Sequence, residues 1–404
     1  MTADSAPGTS VAGDSAPAAA RLAWHDGDAA RSACWLGSGT LPARCIVVDD
    51  SLTAQEAYRL ATGGTAMLWA GDYHNARQLL GALGRRIPAP RAPRAAESGD
   101  PTDPTDPADT AARFYRLRQA RAHRSRLLAT LLVPLGPGPA GPAVPTVPLR
   151  RAPDISTAWA NAHGPVNEPS VVPLQDLLGV LGAQQWRERG VFVPALDATI
   201  HPHYGTFAPV RGEYLDLVAR APLPPTNTAF DIGTGTGVIA AILARRGLGH
   251  VTATDLSARA IACAHENLAR LGLADRVGLE VAEMFPAGRA GLIVCNPPWL
   301  PGSATTLLDQ AVYDPKSRML RAFLTGLPEH LEHDGEGWLV ISDLAEHLGL
   351  RSRDELLGWI AAAGLRVIDR LDTRPSHRRA HDAGDPFHAA RSAETTSLWR
   401  LAAG

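Results

Sequence analysis

Lysine is almost missing from this chain: of 39 basic residues, only Lys316 is not arginine. A phosphate-binding loop of the G-x-x-x-x-G-K-S/T kind is thereby excluded at the chain's glycine turn, which has no lysine near it. Cysteine is scarce as well. Cys34, Cys45, Cys263 and Cys295 stand apart with no C-x-x-C pair, so neither a disulfide framework nor a structural zinc site is indicated. No apolar run approaches the roughly 18 residues of a membrane helix. The segment Met1–Ala20, built of Ala, Ser, Gly, Pro and Asp, lacks the apolar core of a signal peptide. A charge imbalance is absent too: 41 acidic residues nearly cancel the bases, which gives no support to non-specific nucleic-acid binding. The expectation is a reduced, cytoplasmic protein that neither enters a membrane nor holds a metal.

What is present is the make-up of a globular protein, 45% apolar and 20% charged, and 404 residues suggest two or three domains. Residues 1–20 are low-complexity and too polar to offset their ordering entropy, so a disordered tail is expected. Residues 21–91 alternate strand-like (44–48, 65–69) and helix-like (52–60, 75–83) runs, which predicts a small α/β region. Residues 92–110 belong to a Pro- and Asp-rich stretch that reads as an exposed linker. An auxiliary region, 111–200, opens with the arginine-rich segment 111–128. Its arginines fall on several faces of a helix, which reads first as a solvated helix and second as a contact for nucleic acid or an acidic protein. Residues 135–148 read as loop, 173–189 as helix, and 190–200 as a hairpin.

From residue 201 to the end the alternation is regular. Strands are expected at 227–232, 250–254, 277–281, 291–295, 337–342, 365–371 and 395–401, with helices at 238–246, 257–271, 311–331 and 352–363. These make a seven-stranded, mostly parallel sheet with one antiparallel edge, the last two strands being joined without a helix.

The first of these strands runs into the pattern D-x-G-x-G-x-G: Asp231, Gly233, Gly235 and Gly237. Such a turn brings a ligand against main chain at a helix N-terminus. Val238 stands where a dinucleotide fingerprint needs its third glycine, which argues against nicotinamide and flavin dinucleotides. Asp255 ends the second strand, placed to accept hydrogen bonds from both hydroxyls of a ribose, and Glu283 follows the third, placed for an adenine edge. A nucleoside without pyrophosphate suits this set, and S-adenosylmethionine fits.

Just beyond the fourth strand stands Asn296-Pro-Pro-Trp299. Pro297 and Pro298 stiffen the backbone, so that the Asn296 amide oxygen and the Pro297 carbonyl point in fixed directions. Those two acceptors are suited to hold the N–H hydrogens of a planar amide or amine and to aim its lone pair at an activated methyl group. Trp299 offers a flat face for the acceptor.

With these residues in order, the segment from about His201 to the C-terminus resembles the class I S-adenosylmethionine-dependent methyltransferases, which have a Rossmann-like seven-stranded sheet. The Asn-Pro-Pro-aromatic element resembles the branch that modifies nitrogen: release-factor glutamine methyltransferases and the enzymes that methylate adenine or guanine amines in RNA or DNA. The resemblance implies a protein glutamine acceptor, such as one in a translation factor, ahead of a nucleic-acid amine or a small metabolite. A module that binds the cofactor without turnover is the alternative of another class. Residues 207–213 resemble an element that precedes the glycine turn in the glutamine enzymes, which implies that Arg211 and Glu213 line the cofactor or substrate; Val210 and Gly212 depart from that pattern. The region before residue 200 looks closer to the auxiliary α/β halves of some ribosomal RNA guanine methyltransferases, which keeps RNA among the acceptors.

Further candidates read first as structural. His201 and His203 flank Pro202, and Asp314, Lys316 and Arg318 could form a lid behind the Asn-Pro-Pro-Trp element. His377, His381 and His388 stand in a possible substrate loop without metal-ligand spacing.

Overall fold

Runs of β-branched and apolar residues build two separate seven-stranded sheets in the computed structural model, which describes residues 20–88, 107–304, 306–375 and 382–404. Nearly all of the expected tail, most of the Pro/Asp-rich linker, and His377 and His381 lie outside the described residues.

The first unit comprises β1 (Arg21–Asp26), β2 (Ala29–Trp35), β3 (Arg44–Val48), α1 (Ala54–Thr62), β4 (Thr65–Trp69), α2 (Tyr73–Arg86), α3 (Pro107–Leu128), β5 (Leu131–Gly138), β6 (Gly141–Thr146), α4 (Ser156–His163), β7 (Ser170–Pro173) and α5 (Leu174–Arg189). Its strand order is β1-β2-β7-β5-β4-β3, with β6 paired to β5. Trp69, Trp159, Leu131 and Val133 are buried in one core with α1, α2, α4 and α5, and Leu22, Leu68, Leu132 and Val171 form a smaller one. The expected regions 21–91 and 111–200 therefore contribute strands to one sheet. The expected loop over 135–148 is instead the β5–β6 ribbon, whose Pro and Gly residues hid it. The linker also ends earlier than expected, because α3 begins at Pro107.

A two-stranded ribbon, β8 (Val191–Val193) and β9 (Ala198–Ile200), leads to the second unit. This comprises α6 (Glu213–Arg220), β10 (Thr228–Ile232), α7 (Val238–Arg245), β11 (His250–Asp255), α8 (Ala258–Arg270), β12 (Val277–Val281), β13 (Ala290–Cys295), α9 (Arg318–His330), β14 (Leu331–Ser342), α10 (Leu344–His347), α11 (Arg353–Ala362), β15 (Leu365–Thr373), α12 (His388–Ala393) and β16 (Thr396–Ala403). The order β12-β11-β10-β13-β14-β16-β15 is that of the Rossmann-like methyltransferase sheet, parallel but for β16. One face packs on α6 and α7, the other on α9 and α11.

Three expectations need correction here. The antiparallel strand is not at the edge, since β16 inserts between β14 and β15. The last two strands are separated by α12. The helix expected from 311 starts only at Arg318, after Pro315 and two left-handed residues, Lys316 (φ 57°) and Ser317 (φ 53°). Pro315 was the sequence signal for that late start.

The two units meet along α5, α8 and the loop after β9. Glu266 on α8 takes Arg187 of α5 at 2.6 Å and His203 at 2.8 Å, and Arg270 at 2.7 Å. His201 donates its backbone N–H to Asn267 Oδ1 at 2.8 Å. Both loop histidines thus serve this joint.

Candidate active site

The site is built at the carboxyl ends of β10, β11 and β13, where open α/β sheets bind ligands. After β10 the chain turns through Gly233, Gly235 and Gly237, with φ of +73°, +57° and +80°, a region that disfavours any side chain. The backbone N–H groups of Gly233 and Thr234 donate to the Thr254 carbonyl at 2.9 and 2.8 Å, which ties the turn to the end of β11. Asp231 is buried, and its Oδ2 accepts from Thr234 Oγ1 at 2.6 Å and from the Ala240 N–H at 3.0 Å. It therefore shapes the turn and the start of α7. Burial pushes its carboxyl up to about 7, against those two hydrogen bonds. Its Oδ1 has no protein partner.

Asp255 is anchored in the same crevice. Its Oδ2 accepts from the Gly235 N–H at 3.0 Å and its Oδ1 from the Ser257 N–H at 2.9 Å, while burial raises its pKa. Apart from its two chain neighbours, no residue comes within 4 Å of the position a Gly235 Cβ would take. Next to Asp255, Leu256 is 69% exposed, and Val281, paired with Asp255 across the sheet, is 58% exposed. An open glycine turn, an anchored acid at a strand end and two exposed apolar side chains beside it fit a nucleoside with a short polar tail. Leu256 was missed in the sequence; its signal was an apolar residue directly after a strand-ending acid. Glu283 stands apart from this group, exposed and paired with Arg318.

Asn296-Pro-Pro-Trp299 emerges from β13, whose Cys295 lies level with Ile232 of β10. The Trp299 indole N–H donates to Asn296 Oδ1 at 2.9 Å. An indole is a donor only, so this contact fixes which end of the Asn296 amide carries oxygen. Beside it lies the Tyr214 phenol, whose pKa is raised chiefly by burial. Tyr214 is buried edge-on to Trp299, with ring centroids 6.3 Å apart. Tyr214 is a site residue that sequence reading did not single out; no spacing signals it, because α6 brings it in from the far side of the glycine turn. Trp299 is half-buried against both cores, so it holds Asn296 as well as flanking it.

The neighbouring elements close the site. Glu213 opens α6 with a buried Oε1 that has no protein partner. Arg211 reaches the buried Glu394 at 3.4 Å, which also accepts from Ser342 Oγ at 2.7 Å. Asp314 takes the N–H groups of Met319 and Leu320 at 3.0 and 3.1 Å and so caps α9, and Met319 Cε lies 2.7 Å from where a Gly233 Cβ would stand. Among the three candidates for a lid, Asp314 is this cap, Arg318 pairs with Glu283, and Lys316 is exposed.

Residues 215–353 match the family model described as "Methyltransferase small domain". Among curated relatives, a release factor glutamine methyltransferase of Cereibacter sphaeroides is 35% identical over 181 residues, 41% of this chain and 63% of that protein. A tRNA1(Val) (adenine(37)-N6)-methyltransferase of Serratia proteamaculans is 31% identical over 173 residues, 40% of this chain and 65% of the relative. A ribosomal protein uL3 glutamine methyltransferase of Bordetella pertussis is 30% identical over 158 residues, 36% of this chain and 53% of the relative. The chain thus spans less than two thirds of the length of each of these relatives. Among the described residues, no helix is long and apolar enough to cross a membrane.

Proposed function

We propose that the protein is an S-adenosylmethionine-dependent N-methyltransferase whose acceptor is a planar amide nitrogen, a glutamine side chain in a protein of the translation apparatus. The observation that carries this reading is the fixed amide of Asn296, held by Trp299 at 2.9 Å beside the glycine turn. Two of the relatives are named for glutamine methylation, one on a release factor and one on a ribosomal protein, which supports glutamine over other nitrogens.

S-adenosylmethionine supplies a methyl group on an already activated sulfonium, so the chain's contribution is alignment and electrostatics. Gly233, Gly235 and Gly237 hold its polar tail against main chain, Asp255 accepts from its ribose hydroxyls, and Leu256 and Val281 cover its base. Glu283 contributes to the adenine edge once released from Arg318, and Asp231 acts through the turn it shapes. An amide nitrogen is a poor nucleophile because its lone pair is delocalised. Asn296 Oδ1, with one lone pair left after the Trp299 bond, and the Pro297 carbonyl each accept one N–H of the acceptor. Held in that plane, the nitrogen would present its lone pair perpendicular to it, toward the methyl group; the N–CH3 bond would form as the S–CH3 bond breaks, releasing the neutral thioether, and one N–H proton would then pass to solvent. Trp299 and Pro298 flank the planar group, and Arg211 and Glu213 bound the slot on the α6 side.

A second reading, methylation of an adenine amine in RNA, is favoured by the tRNA-modifying relative, since an exocyclic amine offers the same two N–H donors in one plane. The test is incubation of the purified protein with methyl-labelled S-adenosylmethionine and either a bacterial release factor, a ribosomal protein fraction or bulk tRNA. Label on a glutamine of either protein acceptor is the expected outcome. Label in tRNA alone would transfer the conclusion to the second reading, and label in none of the three would sink both.

A further inference from the structure

The arginine-rich helix α3 does not lie free in solvent, and its partners are the elements that flank the Asn-Pro-Pro-Trp motif. The segment that follows Trp299 is a loop closed at its neck: the Leu300 N–H donates to the Val312 carbonyl at 3.2 Å, and the Asp314 N–H donates to the Leu300 carbonyl at 2.9 Å. That neck is seated on α3. The Arg118 guanidinium lies 3.4 Å from the Tyr313 ring centroid, a close cation–π contact, and its Nη2 donates to the Ser303 carbonyl at 2.5 Å. Phe114, one turn earlier, is buried with Leu300, Leu344, Leu348 and Phe387, its ring 6.4 Å from that of Tyr313.

The same neck touches both halves of the chemistry. Leu300 directly follows Trp299, which holds Asn296, and Tyr313 directly precedes Asp314, whose carboxylate caps α9 and thereby places Met319 on Gly233. The C-terminal end of α3 is fixed in the first unit instead, where Leu127 is in its core and Arg124 bonds the Gly84 carbonyl. A rigid helix of 22 residues thus runs from the first unit's core to the root of the catalytic loop.

We propose that α3 is a positioning strut, with Arg118 and Phe114 as positioning residues that hold the Leu300/Tyr313 neck and so align Asn296 and the glycine turn for methyl transfer. This rests on the methyltransferase reading above and gives the first unit a part in catalysis besides any in acceptor choice. Arg118 is engaged by Tyr313 and Ser303.

The test compares wild type with Arg118→Ala, Arg118→Lys and Phe114→Leu by hydrogen exchange of peptides spanning 299–315, by equilibrium binding of S-adenosylmethionine, and by turnover with a bacterial release factor. Arg118→Ala is expected to speed exchange at the Leu300 and Asp314 amides and to lower kcat about tenfold, through loss of alignment, with a smaller weakening of cofactor binding through the glycine turn. Arg118→Lys, which keeps a cation over Tyr313, is expected to restore most of both, and Phe114→Leu to show a smaller version of the same pattern. Exchange that stays at the wild-type rate over 299–315 in Arg118→Ala, or that rises equally throughout the chain, overturns the proposal. The exchange measurement needs no acceptor, so wild-type failure to methylate the release factor would count against the acceptor reading and leave the strut to be judged by exchange.

Discussion

The Trp299 indole N–H and the Asn296 amide oxygen are bound to each other at 2.9 Å, three residues apart across two prolines. With its oxygen end held by a pure donor, the amide cannot flip. Trp299→Phe keeps a flat ring and removes the N–H. Its turnover should fall about tenfold, as expected for loosened alignment, while cofactor affinity is kept. Steady-state kinetics beside a cofactor titration checks this, and unchanged kcat would show that the two prolines orient the amide unaided.

Asn296→Ala removes the acceptor itself. The expected loss is about 10²–10³-fold in turnover, the scale for deleting one preorganised polar group at a reacting centre. Cofactor Kd should barely move, because the glycine turn and Asp255 are tied to each other rather than to Asn296. A cofactor titration showing equal loss in Kd would place Asn296 in the binding of the donor instead.

Legibility differed sharply between the two halves. In the second unit β10 and β13 are short apolar runs buried on both faces, so both were readable to within a residue or so. In the first unit, β2 carries Arg31 and Ser32 on an exposed stretch and β5 contains Pro134, Gly136 and Pro137, which together mask the period of a strand. Position in the sheet was unreadable for another reason: inserting β16 between β14 and β15 is a non-local pairing that no local pattern encodes. The site divides in the same way. The glycine turn, Asp255 and Asn296-Pro-Pro-Trp299 are contiguous motifs, whereas Tyr214 and Arg118 reach the site only through packing of α6 and α3.

Asp231 makes stability depend on pH in a direction opposite to that of an ordinary paired carboxylate. Burial raises its folded pKa from 3.8 to about 7. Its favourable contribution is therefore complete below pH 3.8 and is lost as pH rises through about 7, because the unfolded chain releases the proton first. Asp231→Asn, which is neutral at every pH, should compare worst with wild type near pH 4 and improve relative to it up to pH 7–8. Denaturant titrations of both proteins across that range test this; a stability difference independent of pH would mean that the carboxyl ionises normally.

Glu266 gives the reverse dependence at the joint between the units. Burial pushes its carboxyl up, but the bonds from Arg270 and His203 and the charge and bond of Arg187 outweigh this and hold it at about 2. Burial keeps His203 below its ordinary pKa, so its ring N–H is a neutral donor at pH 7 and the two arginines supply the charge. The stabilisation is fully present above the unfolded value of 4.5 and disappears as pH falls through about 2. Glu266→Gln should cost about 1.5–3 kcal/mol at pH 7, the scale of hydrogen bonds to a charged group. The gap to wild type should close as pH drops from 4.5 toward 2. Because Arg187 lies on α5 and Glu266 on α8, the variant should also loosen the contact between the units, read as faster hydrogen exchange at the His201 amide that Asn267 holds. Loss of stability without that local change would assign the cluster to α8 alone.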